Sequence, residues 1–260
     1  MFRFLNKFLF IIIIFIISNT TCLADNPSII SLSPAITEII YAINAQNDLI
    51  AVSTTCDYPQ EVKTKAKAGD SYFIDKEKII RLNPDYIFLN ESSKGLMNEF
   101  YNTNIKPIYF KSNSINDIYK NILLIGNITN KNFQAESLVN KIKKELIKIE
   151  PGDKKQILYL VQTNPMITIG EKSFITDLIA KSGNISVTNN LKSDYPVINP
   201  EYAIKLKPDI VIVNFDNTSG NIKQLFPNTQ IIFLKKEQTD IINRPGPRIY
   251  QAVNFFLQPY

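Results

Sequence analysis

Any chemistry in this chain has to be carried by carboxylates, amines, guanidinium groups and hydroxyls. The 260 residues hold no histidine and only two cysteines, against 24 Asp and Glu and 29 Lys and Arg. Without histidine there is no Ser-His-Asp or Cys-His arrangement to activate a nucleophile. The commonest ligand for zinc and manganese is missing too, and no cysteine cluster replaces it. Neither a Gly-rich phosphate loop nor a G-x-S-x-G elbow occurs. Sites built from carboxylates alone are the remaining route to catalysis, so the balance moves from catalysis towards binding. The lysines are scattered rather than blocked, which reads as a solvated surface and not as a nucleic-acid footprint.

The residues that could do work must be positioned by a scaffold, and the scaffold is written twice. Glu77 to Asn90 reads EKIIRLNPDYIFLN and Glu201 to Asn214 reads EYAIKLKPDIVIVN. Glu, Ile, Leu, Pro, Asp and Asn recur at matching places, and Arg81 and Lys205 keep a charge. Each copy reads as a short helix stopped before a proline, Pro84 or Pro208. A continuous apolar run follows, as expected for a strand covered on both faces. One copy per half predicts two similar lobes.

The remaining pattern alternates strand and helix. Ser28–Leu32, Leu49–Ser53, Lys106–Phe110, Gln156–Val161, Met166–Ile169 and Gln230–Leu234 read as strands. Helices are expected over Thr37–Ala45, with Ser33 as cap and Pro34 in the first turn, and over Lys94–Asn102, Phe174–Lys181 and Arg248–Leu257. Between the halves, Phe133, Leu138, Ile142, Leu146 and Ile149 recur at helical spacing, and no Gly/Ser linker appears. The fold class is therefore α/β: two similar lobes with mainly parallel sheets, residues 25–130 and 151–260, joined by one stiff bridging helix over 131–150.

Residues 1–24 read as a signal peptide. Arg3 and Lys7 precede the apolar run Phe8–Ile17, which is shorter than the roughly 20 residues that span a bilayer. Cys22-Leu23-Ala24 then offers a cleavage site before Asp25; an uncleaved anchor is the alternative. Losing Arg3 and Lys7 lowers the formal net charge of +5 by two. Lipidation of Cys22 is disfavoured because Asn19 fits poorly at the head of a lipobox. Cys56 would then be the single cysteine, unable to form an intramolecular bridge, and reads as a small buried apolar residue.

Five phrases carry a family resemblance: Ile29–Ile43 (IISLSPAITEIIYAI), Ser53–Pro59 (STTCDYP), Glu77–Asp85 (EKIIRLNPD), Asn199–Val213 (NPEYAIKLKPDIVIV) and Asn243–Ile249 (NRPGPRI). In this order and spacing the chain resembles the cobalamin (vitamin B12) substrate-binding proteins of ABC importers. These belong to a helical-backbone class that also takes iron-siderophores and haem. The resemblance implies an exported, periplasmic, monomeric protein that captures a corrinoid in the cleft between its lobes and delivers it to an inner-membrane permease and its ATPase. It implies no catalytic residues, no metal site and no cofactor, the ligand being transported and not used.

Residue by residue, the resemblance makes Glu77 and Glu201 the permease-docking pair, one per lobe. As bare sequence, each is equally a helix first-turn acid. It places Ser33, Pro34 and Ala35 at a turn facing the cleft, where they otherwise read as a helix cap. Thr55 stands where a family tyrosine does, and Tyr72 and Tyr195 stand near positions of stacking tryptophans, their rings suited to flank a macrocycle. Asp240 and Arg244 match a pair that contacts the polar edge of the ligand. Arg244 precedes Pro245-Gly246-Pro247, which cannot lie mid-helix, and its guanidinium suits amides, carboxylates or phosphate. This chain has no tryptophan, a departure that keeps a ferric siderophore or haem as alternative cargoes. A hydrolase on a similar scaffold and a membrane-tethered module with an empty cleft are the readings from other classes.

Overall fold

The computed structural model describes residues 26–70, 73–148, 154–215 and 221–257. The leader with Cys22, and Tyr72, lie outside the described residues. Among the described residues ten strands form two sheets: β1 Ile29–Ser31, β2 Leu49–Val52, β3 Ala66–Lys67, β4 Tyr86–Asn90 and β5 Lys106–Phe110 in the first, β6 Gln156–Thr163, β7 Met166–Thr168, β8 Ile185–Ser186, β9 Ile210–Val213 and β10 Gln230–Phe233 in the second. The α-helices are α1 Pro34–Ala42, α2 Lys76–Leu82, α3 Ile115–Ile128, α4 Asn132–Ile147, α5 Phe174–Lys181, α6 Pro200–Lys205, α7 Ile222–Leu225, α8 Lys236–Asn243 and α9 Ile249–Phe255. Lys94–Asn102, expected as α-helix, lies mostly in a 3-10 segment, Glu91–Phe100.

The first sheet runs β3-β2-β1-β4-β5 and is parallel throughout. The second runs β10-β9-β6-β7, with β8 also on β6; β7 is antiparallel and the other pairings are parallel. Side chains alternate across each sheet with period two. In the first, Ile30, Ile87 and Leu89 face α2 in a small cluster with Ile79, while Ile29 and Phe88 face the middle of the molecule. In the second, Leu158, Leu160, Val211 and Val213 pack outward with Ala203, and Ile157, Tyr159, Ile210 and Ile212 face the middle. The two inward faces share one apolar cluster, closed by α1, α3, α4, α5 and α9. The lobes therefore have separate outer cores and a common inner one.

The bridging helix α4 buries Ala135, Val139, Ile142 and Leu146. Phe133, expected on that stripe, is 80% exposed. Packing against α3 sets the rotation: a side chain on Gly126 would collide with Ala135, so glycine lets the helices approach there. The helix α3 itself had no counterpart in the pattern reading. Ser114 caps it by accepting from Asp117 N, and Ile118, Ile122 and Ile125 form its buried stripe.

The duplicated frame folds as a duplicated structure. Asp75 and Asn199, at matching places, cap α2 and α6 by accepting from Lys78 N and Tyr202 N at 3.0 and 2.7 Å. Asn83 and Lys207 both take left-handed backbone, φ 42 and 49, ending each helix before its proline. Asp85 then accepts from Ser28 N and Oγ, and Asp209 from Gln156 N. Each aspartate thus ties the start of its strand to the start of the neighbouring one.

Candidate ligand-binding cleft

A cavity of about 520 Å³ opens between the lobes. Its first-lobe wall comes from the ends of parallel strands and the segments that follow them: Ser33–Ala35 after β1, Asn90 and Glu91 at the end of β4, Phe110 at the end of β5, and Ser112 and Asn113 after it. The second lobe adds Lys172–Phe174, Asp194, Tyr195 and Asn243–Pro245. Carboxyl ends of parallel strands are where loops diverge and leave room for a ligand.

Two helix starts border this space. Pro34 opens α1, and Ser33 occupies its cap position without a side-chain cap bond. Across the cavity, Ser173 caps α5 by accepting from Ile175 N. Helix N-termini present backbone N–H groups and a partial positive charge. Together with Lys172 and Arg244 they suit oxygen-rich ligand edges. Phe110, Phe174, Tyr195 and the prolines supply apolar wall. Asn243 is held from behind: the buried Tyr159 hydroxyl lies 2.9 Å from Asn243 Oδ1 and 2.6 Å from Asn214 Oδ1. Burial pushes the Tyr159 phenol well above its ordinary range, so it stays protonated as a donor.

Of the residues singled out from sequence, the structure brings Ser33, Pro34, Ala35, Tyr195 and Arg244 together on the cavity wall. Tyr195 is 46% exposed there. Thr55 is not on the wall: it is exposed after β2, with its hydroxyl on Ser53 Oγ at 2.8 Å. Asp240 is not on the wall either. It is turned onto Lys236 and Arg244, at 2.6 and 3.1 Å. Glu77 and Glu201 stand exposed in the first turns of α2 and α6, and neither has an ion pair among the described residues. Cys56 is buried, and burial pushes its thiol up.

The strongest electrostatic feature of the cleft was visible in sequence only through Asp240 and Arg244. Glu38 of α1 is 2% exposed and receives both arginines that follow α8. Arg248 reaches it through Nε and NH2 at 2.8 and 2.7 Å, and Arg244 through NH1 at 3.0 Å. Arg244 also holds Asp57 at 2.8 Å, and Lys236 joins Asp57 to Asp240. The Tyr58 ring lies 4.1 Å from the Arg248 guanidinium, a cation–π contact. Six charged groups from two lobes thus form a clasp at one end of the cleft, in equal numbers of each sign. Partial burial works to raise the Asp57 carboxyl, but the bonds and charges of Arg244 and Lys236 outweigh it and hold it at about 2. The clues in the sequence were slight: one acid inside the apolar helix Pro34–Ala42, and a second arginine four residues after Arg244.

The comparisons with known proteins agree with this geometry. Over 264 aligned positions the chain is 26% identical to a vitamin B12-binding protein of Vibrio parahaemolyticus, covering 96% of this chain and 94% of that one. A Staphylococcus epidermidis structure, described as a possible iron-binding (periplasmic solute-binding) protein, superposes with a TM-score of 0.76 at 27% identity, covering 88% of this chain and 96% of the other. A periplasmic haem binding protein of Vibrio cholerae has the same TM-score, 0.76, at 18% identity, with coverage of 89% and 97%. The family model described as periplasmic binding protein matches residues 29–246. The chain therefore belongs to the periplasmic binding protein family, a solute-binding class of two-lobed α/β proteins.

Proposed function

We propose that this protein is the substrate-binding component of an ABC importer and that its cargo is cobalamin or a related corrinoid. The observation that carries this reading is the cleft: a cavity of about 520 Å³ whose wall draws on both lobes, within the ~300–1,000 Å³ typical of small-molecule sites. The half-exposed Tyr195 ring suits the face of a macrocycle, with the largely buried Phe110 and Phe174 behind the wall, and Asn243, Lys172 and Arg244 suit its amide and phosphate edge. The vitamin B12-binding relative, aligned over nearly the whole chain, supports the same cargo. No step in this cycle makes or breaks a covalent bond of the ligand, and the protein acts as a monomer without a cofactor. Residues 1–24 direct export to the periplasm.

Delivery follows from the exposed pair Glu77 and Glu201. Two like charges on matching elements of similar lobes give attraction and register to a permease built from two related halves. Replacing both by alanine abolishes transport and leaves ligand affinity intact. If affinity collapses as well, the pair belongs to the pocket or the fold.

A second reading, haem or a ferric siderophore, has one observation in its favour: the half-exposed Tyr195 ring on the cavity wall, a residue type able to ligate ferric iron where histidine is absent. Titration of the purified protein with cobalamin, haem and a ferric hydroxamate, followed by visible absorption, separates the two. Saturable binding of cobalamin alone is the expected result. Binding of haem or the hydroxamate alone transfers the function to the second reading, and no response to any of the three overturns both.

A further inference from the structure

The identical residues of the duplicated frame divide by whether they have a partner inside their lobe. Pro84 and Pro208 are buried, and Asp85 and Asp209 tether neighbouring strands. Leu82 and Leu206 are partly buried. Asn214 reaches the buried Tyr159, and Asn90 lines the cavity. Each has work to do inside its lobe. Two matched pairs do not. Glu77 and Glu201 are exposed, and Ile80 and Ile204 are 44% and 43% exposed. Neither isoleucine belongs to the core cluster of its own lobe, although the residue before each, Ile79 or Ala203, is fully buried. An apolar side chain kept at the same exposed place in both copies, with nearly the same exposure, is not accounted for by folding.

On a helix, residues three apart share a face, so each lobe presents a carboxylate beside an isoleucine. The topology also says where. Helices α2 and α6 each turn straight into the following strand and pack on its sheet, so they run antiparallel to β4 and β9. Their N-terminal ends therefore lie towards the carboxyl ends of those strands, the edge at which Asn90 borders the cavity. The two patches flank the cleft.

We propose that Ile80 and Ile204 are paired apolar anchors of the docking surface, one per lobe. Each seats in an apolar hollow of the permease beside the cation that receives Glu77 or Glu201. This rests on the importer reading above and deepens it. The occupant is a partner offering a basic residue and an apolar hollow twice, which matches two exposed carboxylates with no ion pair among the described residues and two exposed isoleucines in the same relative arrangement. The charges steer and register the encounter, and the isoleucines set its lifetime, since rim charges act mainly on association and desolvated anchors on dissociation.

The test uses the full mature protein with the organism's cobalamin-type permease–ATPase complex in lipid discs, reading the protein concentration that half-saturates ATPase stimulation. I80S and I204S singly are expected to raise it by about threefold to tenfold each, and to similar extents, for loss of a half-buried aliphatic contact. The double variant raises it further, while thermal unfolding and cobalamin affinity stay at wild-type values. E77Q with E201Q weakens docking as well, and added salt reduces wild-type docking more than it reduces docking of the E77Q/E201Q protein. If the isoleucine variants dock as wild type while the glutamine variants fail, the anchors are overturned and the importer reading stands. If neither set changes the concentration, both are overturned. A loss confined to one of the two isoleucines overturns the pairing.

Discussion

The two lobes are alike where they fold and unlike where they meet. Both carry the capped helix, the left-handed residue before proline and the aspartate that ties two strand starts together. Their sheets differ at one edge, where β7 runs antiparallel to β6 while all first-sheet pairings are parallel. At the joint the symmetry ends. The first lobe contributes carboxylates, Glu38 and Asp57, and the second contributes Lys236, Arg244 and Arg248 along with Asp240. Repeated residues build the lobes, and unrepeated residues make the clasp and most of the cleft wall.

The largest effect should come from breaking the joint. Glu38→Ala leaves two guanidinium groups short of a buried carboxylate, and removing one member of a buried ion pair costs about 3–5 kcal/mol. Urea denaturation is the check, and a loss below about 1 kcal/mol would mean the clasp is dispensable. A smaller effect tests the likeness of the lobes. Asp85→Ala removes two accepted bonds and Asp209→Ala one, at about 1 kcal/mol per bond, so the first should lower the urea midpoint more than the second. The Ser28 N–H and hydroxyl hold the Asp85 carboxyl below its ordinary range, so this tie also weakens in acid.

The smallest effect is one of pH. Asp57 is held at about 2 against an ordinary 3.8. A carboxyl lowered by folding stabilises the folded state above its unfolded value, and that contribution is lost as pH falls. Stability from Asp57 should therefore be complete above about pH 4 and drain away towards pH 2. Asp57→Asn should flatten that part of the acid-side profile and leave the neutral-to-alkaline side unsloped by this group.

How much of this was legible in the sequence follows from the same division. The frame was visible because its signals are local: Pro84 and Pro208 stop helices, and the runs Tyr86–Leu89 and Ile210–Val213 are apolar throughout. The strand Lys106–Phe110 and the helix Phe174–Lys181 have the expected bounds. Helix α3 was missed because isoleucine and asparagine are poor helix formers, and its stability comes from packing Ile118, Ile122 and Ile125 against neighbours. The rotation of α4 was misjudged at Phe133 because its inward face is the one that packs on neighbouring helices, Ala135, Val139, Ile142 and Leu146, with Ala135 seated against Gly126 of α3. Beyond Asp240 and Arg244 the clasp was invisible for the plainest reason: Glu38 meets Arg244 and Arg248 across most of the chain, and no local spacing encodes that meeting. Ser33, Pro34, Ala35, Tyr195 and Arg244 converge on the cavity, whereas Thr55 and Asp240 carry the same plausible chemistry and lie off its wall.

The proposed corrinoid cargo lies between the lobes, against the wall that includes Tyr195. The most direct measurement is a cobalamin titration of wild type beside Tyr195→Ala, followed by ligand absorbance. One saturable site is predicted for wild type, with affinity about tenfold lower for the variant and an unchanged unfolding midpoint. Absence of wild-type binding, or equal affinity in the two proteins, would contradict it.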